Sequence, residues 1–377
     1  MEPFLERNMK EKANGVESKR KLHIVKVTNS ERDPWWLPII SIGVALAFCG
    51  VLITVNGYSP VDVYLKMIKA AFGSSYGIGE TLVKAIPLLL CSLGIALASR
   101  IRIWNIGAEG QFIAGTIAAT WVALYWTQLP SAFVIPAMFV GGCLAGAIWG
   151  LLAAIPRAYF QVNEIITTLM LNYVALLFLD YLVYGPWRDP DGFNFPGTAP
   201  FSLSAQLITY GTSRLHLGLM FGIIAIILYA VLLRSTRWGY EMRVLGDNPS
   251  AAQSAGIPAK RYIVFVMLIS GGLAGLAGMS EVAGVTHRLQ HGISPGYGYT
   301  AIIVAWLAKL NPFGLLISSV LFGGLIVGGY SVQSIGISSS ISLMIQGSIL
   351  FFLIGGEWFG KYRIKWTNNL PNRKQEG

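Results

Sequence analysis

The sequence predicts an all-α polytopic membrane protein of about ten transmembrane helices, and three observations carry that expectation. Hydrophobic residues make up 54% of the 377 positions and charged residues only 12%, with a mean hydropathy of +0.58. A soluble core of this size needs no such balance. Apolar stretches long enough to cross a bilayer, about 20 residues each, recur along the chain. Lysine and arginine gather in both tails and on one side of the expected topology. That pattern fits cytosolic retention of basic loops better than nucleic-acid binding, despite the formal charge of +10.

In chain order, residues 1–34 mix Glu, Lys, Asn and Ser with few large apolar groups and read as a mobile basic cytosolic tail. The stretch 36–56 follows that polar tail without a small-residue cleavage site, so it reads as a retained anchor. Residues 58–80 interleave Tyr64, Leu65, Met67, Ile68 and Phe72 with Asp62, Lys66 and Lys69, the pattern of an amphipathic helix on the outer surface. Spans follow at 82–99, 108–126, 131–155 and 165–185, then an outer loop at 186–214 with Trp187, Arg188, Asp189 and Asp191, which suits a lid or a docking ledge. Beyond 215–233 comes a basic cytosolic loop, 234–262, with Arg234, Arg237, Arg243, Lys260 and Arg261. The spans 263–283, 313–330 and 339–356, and a shorter one at 299–308, complete a transmembrane domain over 35–357, with a basic cytosolic tail at 358–377. An even number of spans leaves both termini in the cytosol.

Within the cytosolic loop a short helix is bounded at both ends. Asn248 suits its N-cap and Pro249 its first position, and Gly256 with Pro258 marks its stop. A helix well under about 12 residues is marginal alone in water. It is therefore expected to gain stability by packing on a separate motor protein.

Small residues four apart let helix backbones approach, so Gly142, Gly146 and Gly150, Gly271 and Gly275, and Gly324 and Gly328 mark faces that meet other helices. A glycine-broken segment opens a span in each half, Asn-Ile-Gly-Ala-Glu-Gly-Gln at 105–111 and Ser-Pro-Gly-Tyr-Gly-Tyr-Thr at 294–300. The first enters from the cytosolic side and the second from outside, which predicts an inverted repeat of spans 2–5 on spans 7–10. Broken helices at membrane depth are tolerated only inside protein or along a cavity. Asn105, Glu109, Gln111, Tyr297 and Tyr299, with Asn172 deep in its span, are accordingly the candidates for the translocation path. For Asn105, Glu109 and Gln111 a role in holding the broken backbone stands beside the path role. Asn163 and Glu164 read as a helix cap, and Asp180 and Glu281 as groups near water at the outer ends of their spans.

Cys49, Cys91 and Cys143 lie in apolar spans and read as free thiols. His287 and His291 are four apart but have no acidic third ligand, so no metal site is expected. The chain has no phosphate-binding Gly-x-x-x-x-Gly-Lys-Ser/Thr loop, and no ATP hydrolysis of its own is expected.

Residues 105–111, 162–173, 246–257 and 294–306 together resemble the membrane permeases of bacterial ABC importers in the ribose and branched-chain amino acid superfamily, most closely the nucleoside and simple-sugar branch. The likeness runs from about residue 37 to 357, and the string at 105–111 is its most specific part. It implies a transport subunit in the bacterial cytoplasmic membrane without cofactor or catalytic centre. Its implied partners are a homologous second permease, ABC ATPase subunits and an extracytoplasmic substrate-binding lipoprotein. Asn248, Pro249, Ala251, Ala252, Ala255 and Gly256 would then belong to a coupling helix seated in the ATPase, with Gln253 and Ser254 where such permeases often carry Arg and Tyr. Few buried charges favour a neutral polar solute, a nucleoside first and a simple sugar as the alternative. The rival from another class is an ion-coupled transporter using Glu109, Asp180 or Glu281 as a proton relay.

Overall fold

The computed structural model describes residues 21–26, 36–126, 129–211 and 213–367. The remainder of the two expected tails lies outside the described residues. The helices are α1 (Leu37–Val55), α2 (Pro60–Phe72), α3 (Ser75–Arg100), α4 (Ala108–Tyr125), α5 (Ser131–Phe160), α6 (Glu164–Tyr184) and α7 (Gly218–Ser235). They continue with α8 (Arg237–Asp247), α9 (Pro249–Ser254), α10 (Ala259–Glu281), α11 (Tyr297–Leu307), α12 (Pro312–Ser331) and α13 (Ser340–Lys361). Every expected apolar stretch falls on one of them. Among the described residues, seven helices are long and apolar enough to cross a membrane: α1, α3, α5, α6, α7, α10 and α12. α4 is diluted by Glu109 and Gln111, and α11 is a half-length helix.

The chain divides into two compact units, residues up to 47 with those from 348 onward, and residues 48–347. In the first, β1 (Lys21–Lys26) pairs antiparallel with β2 (Tyr362–Thr367), Lys21 opposite Thr367 and Lys26 opposite Tyr362. The two expected tails therefore contain a paired segment, and α13 runs on to Lys361 rather than stopping at 357. Lys21 and His23 alternate with Leu22 and Ile24 in β1, which suits a pleated strand better than a helix, a signal that composition alone hides.

The second unit holds the repeat. Its packing maps onto itself when α3 is exchanged with α10, α4 with α11 and α5 with α12: α5 lies on α10 as α12 lies on α3, and α4 lies on α10 as α11 lies on α3. The glycine rows explain the tightest of these contacts. A Cβ added at Gly146 would stand 2.2 Å from the Gly271 carbonyl oxygen, and one at Gly275 2.2 Å from that of Gly142, so the rows on α5 and α10 face each other. The Gly324 and Gly328 row instead receives Phe72 and Met67 of α2. α2 thus packs Val63, Met67 and Ala71 inward, and α3, capped by Ser74, begins seven residues before the expected start of that span.

α10 ends in a π-turn over Val282–Thr286. The loop at 186–214 is laced onto this turn and the segment beyond it: Thr198 N–H donates to the Leu289 carbonyl at 2.9 Å, Phe201 N–H to that of His287 at 2.8 Å, and Leu207 N–H to that of Ala283 at 2.9 Å. Arg214 adds a two-pronged ion pair to Glu80 of α3, at 3.2 and 2.5 Å.

Candidate functional site

α3 ends at Arg100, and the chain turns through Arg102, at φ 57°, before α4 begins at Ala108. Residues 101–107 therefore leave backbone groups unpaired at depth, and side chains must take them. Asn105 accepts the Gly107 N–H at 3.0 Å and donates to Gln111 Oε1 at 2.9 Å and Ser270 Oγ at 2.7 Å. Gln111 Nε2 donates back to Asn105 at 3.2 Å. Asn172 reaches across from α6, accepting the Gly110 N–H at 2.8 Å and donating to the Ile106 carbonyl at 2.9 Å and to Tyr299 Oη at 3.1 Å. Asn105, Gln111 and Asn172 are all buried, and their polar atoms are engaged by the break itself.

Glu109 joins the two breaks. Its carboxylate accepts the Gly298 N–H at 2.7 Å and a hydrogen bond from Ser294. Ser294 Oγ in turn takes the N–H groups of Gly296 and Tyr297, each at 3.1 Å. A Cβ at Gly298 would lie 2.2 Å from the Glu109 nitrogen, so the first turns of α4 and α11 touch backbone to backbone. Two helix N-termini, each with positive partial charge, would repel at this distance. A buried carboxylate between them offsets both. Glu109→Gln keeps one acceptor oxygen but loses the charge, and is expected to lower stability by about 1.5–3 kcal/mol, read as the apparent melting temperature of the detergent-solubilised chain. An unchanged melt would remove Glu109 from this role.

Tyr297 is fully buried in a second cluster: Lys84 of α3 donates to Glu281 Oε1 at 3.0 Å and to Tyr297 Oη at 2.8 Å, and Tyr297 Oη lies 3.2 Å from the same carboxylate oxygen. Glu281, expected near water, is 2% exposed. The loop at 186–214 covers the end of α10, which sequence position could not show. Asp180, also expected to meet water, pairs with His291 at 2.6 Å, while His287 turns to the Ala283 carbonyl at 3.1 Å. The two histidines therefore do not converge. Lys84 and Ser270 were absent from the sequence reading, and Ser294, the first residue of the second broken segment, was given no role there. A lysine inside an apolar stretch was the signal for the first, while isolated serines give none.

Of the six path candidates, five are buried and Tyr299 is half-buried. Beside it lies the exposed Tyr173, and two turns further along α11 Trp306 stacks on Trp104 with centroids 5.2 Å apart.

The loop at 234–262, expected in the cytosol, holds two helices where one was expected. α8 is amphipathic, and Trp238 packs edge-on against Phe265 at 4.3 Å. α9 is six residues, with Asn248 accepting the Ala251 N–H at 3.1 Å, Pro249 first, Ala255 as the C-cap and Gly256 at φ +72°. Ala252 is fully buried, whereas Pro249, Ala251 and Ala255 are exposed. One alanine anchors the helix and the others are presented outward.

Residues 77–354 match the family described as branched-chain amino acid transport system, permease component. The chain belongs to this family. The permease is 37% identical over 347 residues to the glucose ABC transporter permease protein TsgB13 of Haloferax volcanii, a match covering 88% of this chain and 91% of that one. It is 33% identical to the guanosine ABC transporter permease protein NupP of Bacillus subtilis, over 84% of this chain and 92% of the relative. The nucleoside ABC transporter permease protein NupB of Lactococcus lactis is 31% identical, over 84% and 90%. Each of these two bacteria holds a second match, NupQ and NupC respectively.

Proposed function

We propose that the permease carries a neutral polar solute into the cytoplasm as the membrane subunit of an ATP-driven ABC importer, with a nucleoside as the first candidate. The observation that carries this reading is α9, a capped six-residue helix anchored only by Ala252 and offering Pro249, Ala251 and Ala255 to a partner. A separate ATPase grips it, a second homologous permease completes the path, and an extracytoplasmic lipoprotein delivers the solute onto the laced outer loop. The paired relatives in two bacteria favour a heterodimer. The tails and the α8–α9 segment lie in the cytosol, and the chain sits in the cytoplasmic membrane.

In this reading Asn105, Glu109, Gln111, Asn172 and Tyr297 hold the broken helices in place, while Tyr299, with Tyr173 beside it, faces the path. Simple sugars are the second reading, favoured by the 37% identity to a glucose permease. Uptake by the reconstituted importer is expected to stop when ATP is removed and to survive collapse of the proton gradient. The opposite result would put an ion-coupled mechanism in its place.

Ala255→Asp places a charge on the presented face and is expected to weaken co-purification of the ATPase about tenfold or more, a cost of about 1.4 kcal/mol, with membrane insertion intact. Ala252→Asp buries that charge instead and is expected to disorder the loop itself. Equal ATPase binding by Ala255→Asp and the wild type would take the docking role away from α9.

A further inference from the structure

The end of the bundle that carries α9 also holds a pocket of about 180 Å³ where three arginines meet: Arg100 at the end of α3, Arg234 in the last turn of α7 and Arg243 on α8. Among the described residues none of the three has an acidic partner. Glu241, the acid nearest along α8, is engaged by Arg237 and the Tyr262 hydroxyl, and Asp247 forms no ion pair with Arg243 one turn away. Arg100 is fixed in place: its Nη2 donates to the Leu310 carbonyl at 2.8 Å, which the Tyr229 hydroxyl also reaches at 3.0 Å, while its Nε is buried without a hydrogen-bond partner. The floor adds a further positive end. Asn311 caps α12 through the Phe313 N–H at 3.0 Å, and Pro312 opens it, so the N-terminus of a 20-residue helix borders the same pocket.

Three like charges, held together with no counter-charge, repel one another unless an anion joins them. Arginines that line one small pocket in this way suit the oxygens of a phosphate. The level in the fold selects the source of that phosphate. α8 carries exposed Trp238 and Tyr240 beside its charges, the make-up of a helix lying at a membrane interface. Ile223 and Ile227 of α7 are exposed and by helical spacing share a face with Arg234, so an apolar track rises from the pocket toward the membrane interior. We propose that Arg100, Arg234 and Arg243 bind the phosphate of an anionic phospholipid whose acyl chain lies along Ile223 and Ile227. Basic pockets between helix ends on the cytosolic side are suited to this use. The site ties the α7–α8 hinge, and with it the approach to α9, to the surrounding leaflet.

The test uses the full-length permease in nanodiscs of phosphatidylcholine with or without phosphatidylglycerol, reading lipid retained by native mass spectrometry and the apparent melting temperature. The wild type is expected to retain phosphatidylglycerol preferentially and to melt higher with it. Arg234→Gln with Arg243→Gln, at two exposed positions, should fold and lose that preference about tenfold. Arg234→Lys with Arg243→Lys should keep most of it. Equal retention by the wild type and the Gln double variant overturns the proposal, as does a wild type without preference between the two lipids. Stabilisation by millimolar inorganic phosphate in phosphatidylcholine discs equal to that by phosphatidylglycerol would make this a soluble-phosphate site and overturn the lipid assignment.

Discussion

Gly275→Val is expected to leave no correctly folded permease. A Cβ at this position would stand 2.2 Å from the Gly142 carbonyl oxygen and 3.0 Å from the Gly146 Cα, and both neighbours are helix backbone that cannot swing aside. From the other side, a Cβ at Gly115 of α4 would meet the Gly275 carbonyl oxygen at 2.2 Å. Gly275 therefore sits where α4, α5 and α10 cross, and any side chain there separates three helices together. Ordinary overpacking costs about 1–3 kcal/mol. Here relief would require moving the contacts on which the repeat is built, so the loss should exceed that range. Gly272→Ala is the control: its Cβ would lie 3.5 Å from the Cys143 carbonyl oxygen, an ordinary contact. In size-exclusion profiles of solubilised membranes, Gly272→Ala should give the wild-type peak and Gly275→Val only aggregate. A monodisperse Gly275→Val peak would mean that the α5–α10 crossing can open.

The glycine rows show how far the sequence could be read. Hydropathy located the spans because lipid exposure imposes it directly, as on the outward faces of α1, α6 and α7. Spacing of four marked Gly142, Gly146, Gly271 and Gly275 as contact faces, yet periodicity carries no partner identity. That α5 and α10 close on each other, while the glycine row of α12 takes α2, is visible only in the three-dimensional packing. The same limit affected α8. Its amphipathic pattern, with few apolar residues, was absorbed into a basic loop, while the sharper caps of α9 stood out. The candidate site was legible as a set of residues, since amides and a carboxylate next to broken helices are costly unless used. That they also satisfy the broken backbone is visible only in the fold, through their burial and hydrogen bonds. Asn172, two turns into α6, shows this well, because its two ends close on Gly110 and Ile106.

Burial also decides the second large effect, which concerns Lys84 and Glu281. Lys84→Met removes the cation from a carboxylate that is 2% exposed and whose second oxygen already has no hydrogen-bond partner among the described residues. Stranding a buried charge in this way costs about 3–5 kcal/mol, enough to remove much of a typical folding free energy. Glu281→Gln alone should cost less, because the side chain of Lys84 is 14% exposed and retains the Tyr297 hydroxyl. Combining Lys84→Met with Glu281→Gln removes both charges and should recover most of the loss, since residues of one ion pair are coupled rather than additive. Apparent melting temperatures of the four proteins give the cycle, and additive losses would mean that the 3.0 Å pair contributes no coupling. Uptake measured on the same set adds a second comparison. The cluster joins α3 and α10, which exchange places under the repeat, to the first turn of α11. If it only locks these elements, the stable double variant transports as well as the wild type; if transport requires the pair to break and re-form, that variant is stable and slow.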